Sequence, residues 1–376
     1  MVALDPPPGS VLAQAPRQVR ITFSEPVSAF GRGIDVHGPG GRLVSAAAVA
    51  AGPELVAGLG EHGTLPGGTY LVEWRVVAAD THPSRGSYTF SIGQPGPIAD
   101  GAPADAFGSV APLGLLLQAL SRWLHFLGFA LAFGSLAFQV LVLGERDSVP
   151  RLRRLAYVGI ALLLVAEPVA LVAQAASLGA IDSPSLADIL GSAFGRVVAL
   201  RLGAALLLWG LLGAIRETRG KGAWAILALG ASLAEVDGLA GHTIAGLPQA
   251  AAIFLTAVHV AAMAAWLGGF AALVLSLGAA ADRRALVGRF GRFAAVSVAV
   301  LLLSGALLAL VHLRGPADLL FTSYGLILAI KLLAVAAALL AAWLGVRRLN
   351  SSRPEALALA GVLALAALLS SLPPPR

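Results

Sequence analysis

Four histidines of this sequence lie in or beside long apolar segments, and three of them are the main candidates for chemistry. His125 and His259 fall inside such segments, and His242 follows one that carries Glu235 and Asp237 near its end. Ionisable side chains inside membrane segments are costly and are therefore functional candidates. An imidazole is a ligand for copper in either oxidation state and for haem iron, so both chemistries are open at this point.

Other side chains in the apolar segments belong to the same candidate region. Three are candidate accessory ligands: Glu167, Met263 and His312. Met263 follows His259 by four residues and so shares its helix face, although a methionine there is more often a packing residue. Arg201 and Lys331 also lie deep in apolar runs, and we expect them to pair with Glu167, Glu235 or Asp237.

A second candidate site lies near the start of the chain, at Asp80 and His82. Two residues apart on an extended strand, these side chains face the same side. A carboxylate and an imidazole together suit Cu(II) or Zn(II). A solvated histidine in a turn before Pro83 is the simpler interpretation of the pair taken alone.

The composition indicates a membrane protein. Of 376 residues, 57% are hydrophobic and only 12% are charged, against roughly 25% charged in soluble domains. The chain has no cysteine and two methionines, which excludes thiolate sites and Met-rich copper relays. No phosphate-binding loop, nucleophile elbow or His-Glu-x-x-His motif occurs, so we expect a protein that is not an enzyme.

The first 93 residues predict an all-β sandwich. Three segments alternate or are rich in β-branched and aromatic residues, and turn signals separate them: 18–23, 70–77 and 87–92. Residues 94–112 predict a linker. Residues 113–376 predict a polytopic helical bundle.

About eight transmembrane helices are expected, since a span needs roughly 20 apolar residues. The candidates are 114–143, 154–178, 196–215, 222–239, 251–277, 292–313, 322–346 and 355–373. The fourth is short and the third and seventh carry charges, so seven is the alternative.

Basic residues after the odd-numbered helices predict the orientation, because such loops stay in the cytoplasm. This places the β-domain and the C-terminus outside the cytoplasm, with the lipid bilayer rather than nucleic acid as the partner of the positive charge.

An external domain requires an export signal, and the residues from Met1 to Pro6 are not one. We therefore expect the natural start to lie upstream.

The N-terminal region resembles the CopC copper-binding domain. The matching motifs are Phe23-Ser24-Glu25-Pro26-Val27, Gly68-Thr69-Tyr70 and the stretch from Trp74 to Pro83. The resemblance implies a periplasmic β-sandwich that binds Cu(II) through Asp80, His82 and an N-terminal histidine. This sequence lacks that third ligand, so we expect it to follow a missing signal peptide, or the site to be degenerate.

The helical region resembles CopD, which is often fused behind CopC. The matching motifs include Arg122–Gly128, Gly241-His242, His259–Gly269, Leu303-Ser304-Gly305 and Thr322–Gly325. The resemblance implies an inner-membrane copper protein, with His125, His242 and His259 as metal ligands of unknown copper oxidation state.

Copper uptake is therefore the expected function, with copper as the bound ion and periplasmic copper chaperones as candidate partners. A membrane b-type haem protein is one alternative, and a copper chaperone or sensor that does not transport is another. The sequence leaves the direction of transport, the coupling and the oligomeric state open.

Overall fold

The computed structural model describes most of the chain. The described residues are 3–60, 65–78, 83–97, 112–144, 150–179, 183–214, 220–239, 248–313, 315, 317–348 and 353–371. They form two compact units: Met1–Leu116 with Leu171–Arg196, and Leu117–Ala170 with Val197–Arg376.

Eight strands of the first unit form two four-stranded sheets, ordered β1-β3-β6-β5 and β2-β8-β7-β4. Their bounds are β1 Ala3–Asp5, β2 Val11–Leu12, β3 Gln18–Thr22, β4 Val27–His37, β5 Val49–Ala51, β6 Glu54–Gly58, β7 Gly68–Ala78 and β8 Pro83–Ile92. One core takes side chains from both sheets, among them Val19 and Ile21 of β3 and Trp74 of β7. The predicted all-β sandwich is confirmed.

The three predicted strands correspond to β3, β7 and β8, whereas β4 was missed. Its register with β7 shifts between Ala29 and Ile34. Gly31 and Gly33 in this stretch have φ of 59° and 72°, which only glycine adopts without strain. A bulge of this kind breaks the alternation by which a strand is recognised in sequence.

The rest of the described chain is helical. The helices are α1 Pro112–Phe129, α2 Ser135–Phe138, α3 Pro150–Leu178, α4 Ser183–Gly191, α5 Ala193–Ala214, α6 Gly220–Leu239, α7 Gln249–Ser276, α8 Arg283–His312, α9 Asp318–Phe321, α10 Ser323–Arg348 and α11 Arg353–Ser370. The π-helical segment Ala130–Gly134 joins α1 to α2, and a second one, Gln139–Leu143, extends α2. These four segments form one continuous helix, which we call the rod.

Six of the described helical segments are long and apolar enough to cross a membrane, which makes this a multi-pass membrane protein. They are Pro112–Leu143, Pro150–Leu178, Ala193–Ala214, Gln249–Ser276, Arg283–Val311 and Ser323–Leu340. The predicted fourth and eighth spans are the helices α6 and α11. Since these two fall outside that set, the count of eight stays a prediction.

The sixth predicted span begins earlier than expected. Helix α8 starts at Arg283 rather than at residue 292. The Asp282 carboxylate accepts a hydrogen bond from the Ala285 N–H at 3.0 Å, which caps the helix. The arginines expected in a loop therefore lie on the first turns of α8.

The rod of α1 and α2 packs closely against α7. A Cβ added at Gly268 would collide with the carbonyl oxygen of Ala130, and one at Gly134 with that of Ala264. Small residues let membrane helices approach in this way. The contact fixes the helices that carry His125 and His259 against each other.

Within the first unit, the β-sandwich contacts helices α3 and α4. The apolar contact, which we call the domain seat, consists of Phe30, Val77, Ala175, Leu178 and Ile189. The Gly31 N–H donates to a carboxylate oxygen of Asp188 at 3.2 Å beside it. The β-domain thus packs on the C-terminal end of α3 and on α4.

Candidate functional site

His125 is the centre of a buried group of four ionisable side chains, one each from α1, α3, α5 and α6. Its Nδ1 is hydrogen-bonded to Glu167 Oε1 at 2.9 Å, and its Nε2 is hydrogen-bonded to Asp237 Oδ2 at 3.1 Å and lies 3.0 Å from Asp237 Oδ1. Arg201 Nη2 lies 2.7 Å from the same Asp237 oxygen, and Nη1 lies 3.9 Å from Glu167 Oε2. We call these four residues the charge cluster.

The hydrogen bonds of the charge cluster determine its charge. An ionised carboxylate only accepts hydrogen bonds, so a ring bonded to two carboxylates donates from both nitrogens. His125 is then positively charged. With Arg201 it balances the negative charges of Glu167 and Asp237.

This balance makes the burial tolerable. His125, Glu167 and Asp237 are 3%, 2% and 6% exposed. An isolated charge at such a depth is very costly, and pairing offsets much of that cost. Removing one member would leave its partners buried and uncompensated.

The hydrogen bonding of the charge cluster is incomplete all the same. Among the described residues, Glu167 Oε2, Arg201 Nε and Asp237 Oδ1 have no hydrogen-bond partner. Asp237 Oδ1 lies within ion-pair distance of both His125 and Arg201. It lacks a hydrogen bond because the angles are unfavourable, not because the partners are too far away.

The prediction for Arg201 is confirmed, since it pairs with Asp237 and approaches Glu167. Glu235 is exposed instead. Their depth in apolar helices predicts Arg201 and Asp237 as members of an ion pair, but it does not predict that His125 and Glu167 belong to the same group.

His259 lies in a different and mostly neutral environment between α7, α8 and α10. Its Nδ1 is 3.0 Å from the hydroxyl of Ser304. A Cβ added at Gly305 would be 3.0 Å from the ring Cε1. Lys331 acts electrostatically on the ring. In the described part of the chain Lys331 makes no ion pair, so the pairing expected for it is not found there.

The remaining predicted ligands differ in what the structure shows of them. Met263 is buried in the apolar core between the helices. His312 ends α8, and its side chain lies outside the description. Asp80, His82 and His242 lie outside the described residues.

No group of three or more His, Cys, Asp or Glu side chains is arranged to hold a metal among the residues that the structure describes. In the charge cluster, both nitrogens of His125 are occupied by carboxylates. A metal could bind His125 only after displacing one of these bonds. The metal-ligand assignments therefore stay predictions.

Three family models match the chain in succession. The CopC domain matches residues 1–93. The model described as Copper resistance protein D-like, N-terminal domain, matches residues 113–250. Copper resistance protein D matches residues 284–370.

Two curated proteins illustrate the relationship. Copper transport protein CutJ of Bacillus subtilis (strain 168) is 29% identical over 352 residues, which cover 88% of this chain and 64% of that protein. This chain thus spans slightly less than two thirds of that relative. Copper resistance protein C of Escherichia coli is 36% identical over 90 residues, which cover 21% of this chain and 68% of that protein.

One solved structure that matches is PcoC, a copper resistance protein from Escherichia coli. It is 30% identical, and the match covers 25% of this chain and 98% of that chain with a TM-score of 0.20.

Proposed function

We propose that this chain, which belongs to the CopC–CopD fusion family, captures copper outside the cytoplasm and carries it across the membrane. The observation that carries the proposal is the succession of a CopC match and two CopD-type matches along one multi-pass chain. The chain is then a binding and transport protein rather than an enzyme, with copper as its cargo.

The domain limits follow the same division. We assign capture to residues 1–93, a linker role to residues 94–112, and passage to residues 113–376. Asp80 and His82 are the proposed Cu(II) ligands of the first part. Periplasmic copper chaperones are the proposed donors of copper to them.

The domain seat supports a direct transfer from the sandwich to the helices. Val77 near the end of β7 belongs to the seat, and Arg85 of β8 lies against Gly179, just after α3. The connection between these strands carries Asp80 and His82 in the sequence. Both flanking strands therefore contact the end of the same helix.

The seat also supports the proposed orientation. Helix α3 begins at Pro150 beside a cluster of arginines, which favours the cytoplasmic side for this end. The sandwich packs on the opposite end, around Ala175 and Leu178. The arginines and the seat together thus favour a β-domain outside the cytoplasm, in a protein of the inner or plasma membrane.

Inside the bilayer, we propose His125, His242 and His259 as the residues that copper meets. Glu167, Met263 and His312 are the proposed accessory ligands. His259 is more accessible to a metal than His125, because its Nδ1 contacts a neutral hydroxyl rather than a carboxylate. His125 requires rearrangement of the charge cluster first.

The test is the copper content of the purified full chain loaded with limiting copper, together with its visible spectrum. We compare the native chain with the double variant His125→Ala/His259→Ala. The matched control is Ser121→Ala, because Ser121 is buried one turn before His125 and bonds within its own helix. The proposal expects the double variant alone to lose the copper bound among the helices, and every variant to keep the copper bound at Asp80 and His82. A strong Soret band without bound copper would replace it with the haem alternative.

A further inference from the structure

Ser304 of α8 contacts the imidazole of His259 on α7. The distance between Ser304 Oγ and His259 Nδ1 is 3.0 Å. Ser304 is 4% exposed, so little water reaches its hydroxyl. This hydroxyl is the polar group that His259 Nδ1 contacts.

The hydroxyl hydrogen of Ser304 is already used. Ser304 Oγ donates to the Val300 carbonyl at 2.7 Å, and the Leu301 carbonyl lies 3.2 Å away. A serine has one hydrogen to donate and two lone pairs to accept with. Toward His259 the oxygen is consequently the acceptor, and the hydrogen of this bond sits on Nδ1.

The hydrogen on Nδ1 also determines the state of the other ring nitrogen. A neutral imidazole that is protonated at Nδ1 keeps its lone pair on Nε2.

Gly305 fixes the position of the same ring edge. A Cβ at residue 305 would be 3.0 Å from His259 Cε1 and 3.5 Å from Nδ1. The first distance is closer than ordinary van der Waals contact. The absence of a side chain at Gly305 thus lets the ring lie against α8 at hydrogen-bonding distance from Ser304.

We propose that Ser304 is the positioning residue of His259, holding hydrogen on Nδ1 and presenting Nε2 as the nitrogen that binds copper. This inference rests on the proposed function, because it takes His259 to be a ligand. A metal-binding histidine commonly donates its second N–H to such an acceptor, which fixes the tautomer and the ring orientation.

The experiment uses three variants of the full chain in detergent. Ser304→Ala removes the acceptor. Ser304→Thr keeps a hydroxyl that can still bond to the preceding turn. Ser297→Ala is the matched control, because Ser297 is a buried residue of the same helix whose hydroxyl bonds to the Phe293 carbonyl at 3.0 Å.

The first readout is copper affinity, measured by competition with a chelator. Loss of such an orienting partner typically weakens metal binding about 10- to 100-fold. We expect that loss in Ser304→Ala, near-native affinity in Ser304→Thr, and native affinity in Ser297→Ala. Native affinity in Ser304→Ala would overturn the inference, as would an equal loss in the Ser297→Ala control.

The second readout is nitrogen NMR of the metal-free chain with labelled histidines, where His259→Gln identifies the His259 signals. We expect Nδ1 protonated and Nε2 bare in the native chain, and this preference lost in Ser304→Ala. The opposite tautomer in the native chain would refute the role of Ser304 without reference to copper. If the tautomer is as expected but His259→Gln binds as much copper as the native chain, His259 is not a copper ligand. In that case the role of Ser304 in copper binding is refuted as well.

Discussion

The two described intramembrane histidines occupy contrasting environments. His125 is held between two carboxylates beside Arg201, in a group whose charges cancel. His259 contacts the neutral hydroxyl of Ser304, and among the described residues the charge that acts on it is that of Lys331. Both ring nitrogens of His125 bond to carboxylates. For His259, our proposal leaves Nε2 available to bind a metal.

The charge cluster should therefore contribute mainly to the stability of the helix bundle, and His259 mainly to copper binding. The charge cluster joins four helices, so it holds the bundle together and can bind copper only at the expense of an existing bond. The His259 group holds a single ring in place. Mutations should therefore affect folding at the first site and copper binding at the second.

Removal of Asp237 should have the largest effect. Asp237→Asn leaves His125 and Arg201 with one negative partner, and breaking a buried ion pair in this way costs about 3–5 kcal/mol. We expect a clear loss of thermal stability of the purified chain. Glu235→Gln is the matched control, because Glu235 is an exposed acid two residues earlier on α6. Equal stability of the two variants would contradict the charge cluster as a stabilising unit.

Replacement of the two histidines tests the contrast directly. His125→Ala should lower both stability and copper uptake, since it leaves two carboxylates and one cation buried. His259→Ala should lower copper uptake while changing stability far less. Parallel melting curves and uptake assays measure both effects. If His259→Ala unfolds at the same temperature as His125→Ala, the predicted difference between the two histidines in their effect on stability is wrong.

Disruption of the domain seat should affect neither histidine. Phe30 is 3% exposed, and burial of a phenylalanine contributes about 1.5–3 kcal/mol. Phe30→Asp should therefore detach the β-domain and lower uptake about tenfold or more, with the helical unit as stable as before. Val49→Asp is the control, because Val49 is 69% exposed on β5. Unchanged uptake in Phe30→Asp would exclude transfer through the seat.

The smallest effect is expected at Lys331. Like charges repel more strongly in a medium of low dielectric constant, so Lys331→Gln should increase copper retention at His259 by a few fold. Lys331→Arg keeps the charge and should retain copper as the native chain does. A chelator chase from the loaded protein measures the rate of release. Faster release from Lys331→Gln would show that the lysine holds copper rather than repelling it.

Much of this architecture was predictable from the sequence, because long apolar runs and alternating strands have simple physical causes. The helices α3, α5 and α7 and the strands β3, β7 and β8 follow from these patterns. Arg201 was predicted to pair with an acid for the same reason: an unpaired charge in lipid is too costly.

The sequence could not select the partner of Arg201. Glu235 and Asp237 are two residues apart and so point to different sides of α6. A helix that is apolar on most faces gives no amphipathic pattern to show which side is buried. The role of Ser304 was hidden for a related reason, since a serine in an apolar helix commonly bonds to its own preceding turn.

Copper uptake into vesicles tests the central claim most directly. The purified full chain is reconstituted in lipid vesicles, and copper entry is followed with a trapped copper indicator. The account predicts uptake by the native chain and by Ser297→Ala, and its loss in His259→Ala despite a native melting curve. Uptake by His259→Ala at the native rate, or none by the native chain, would contradict it.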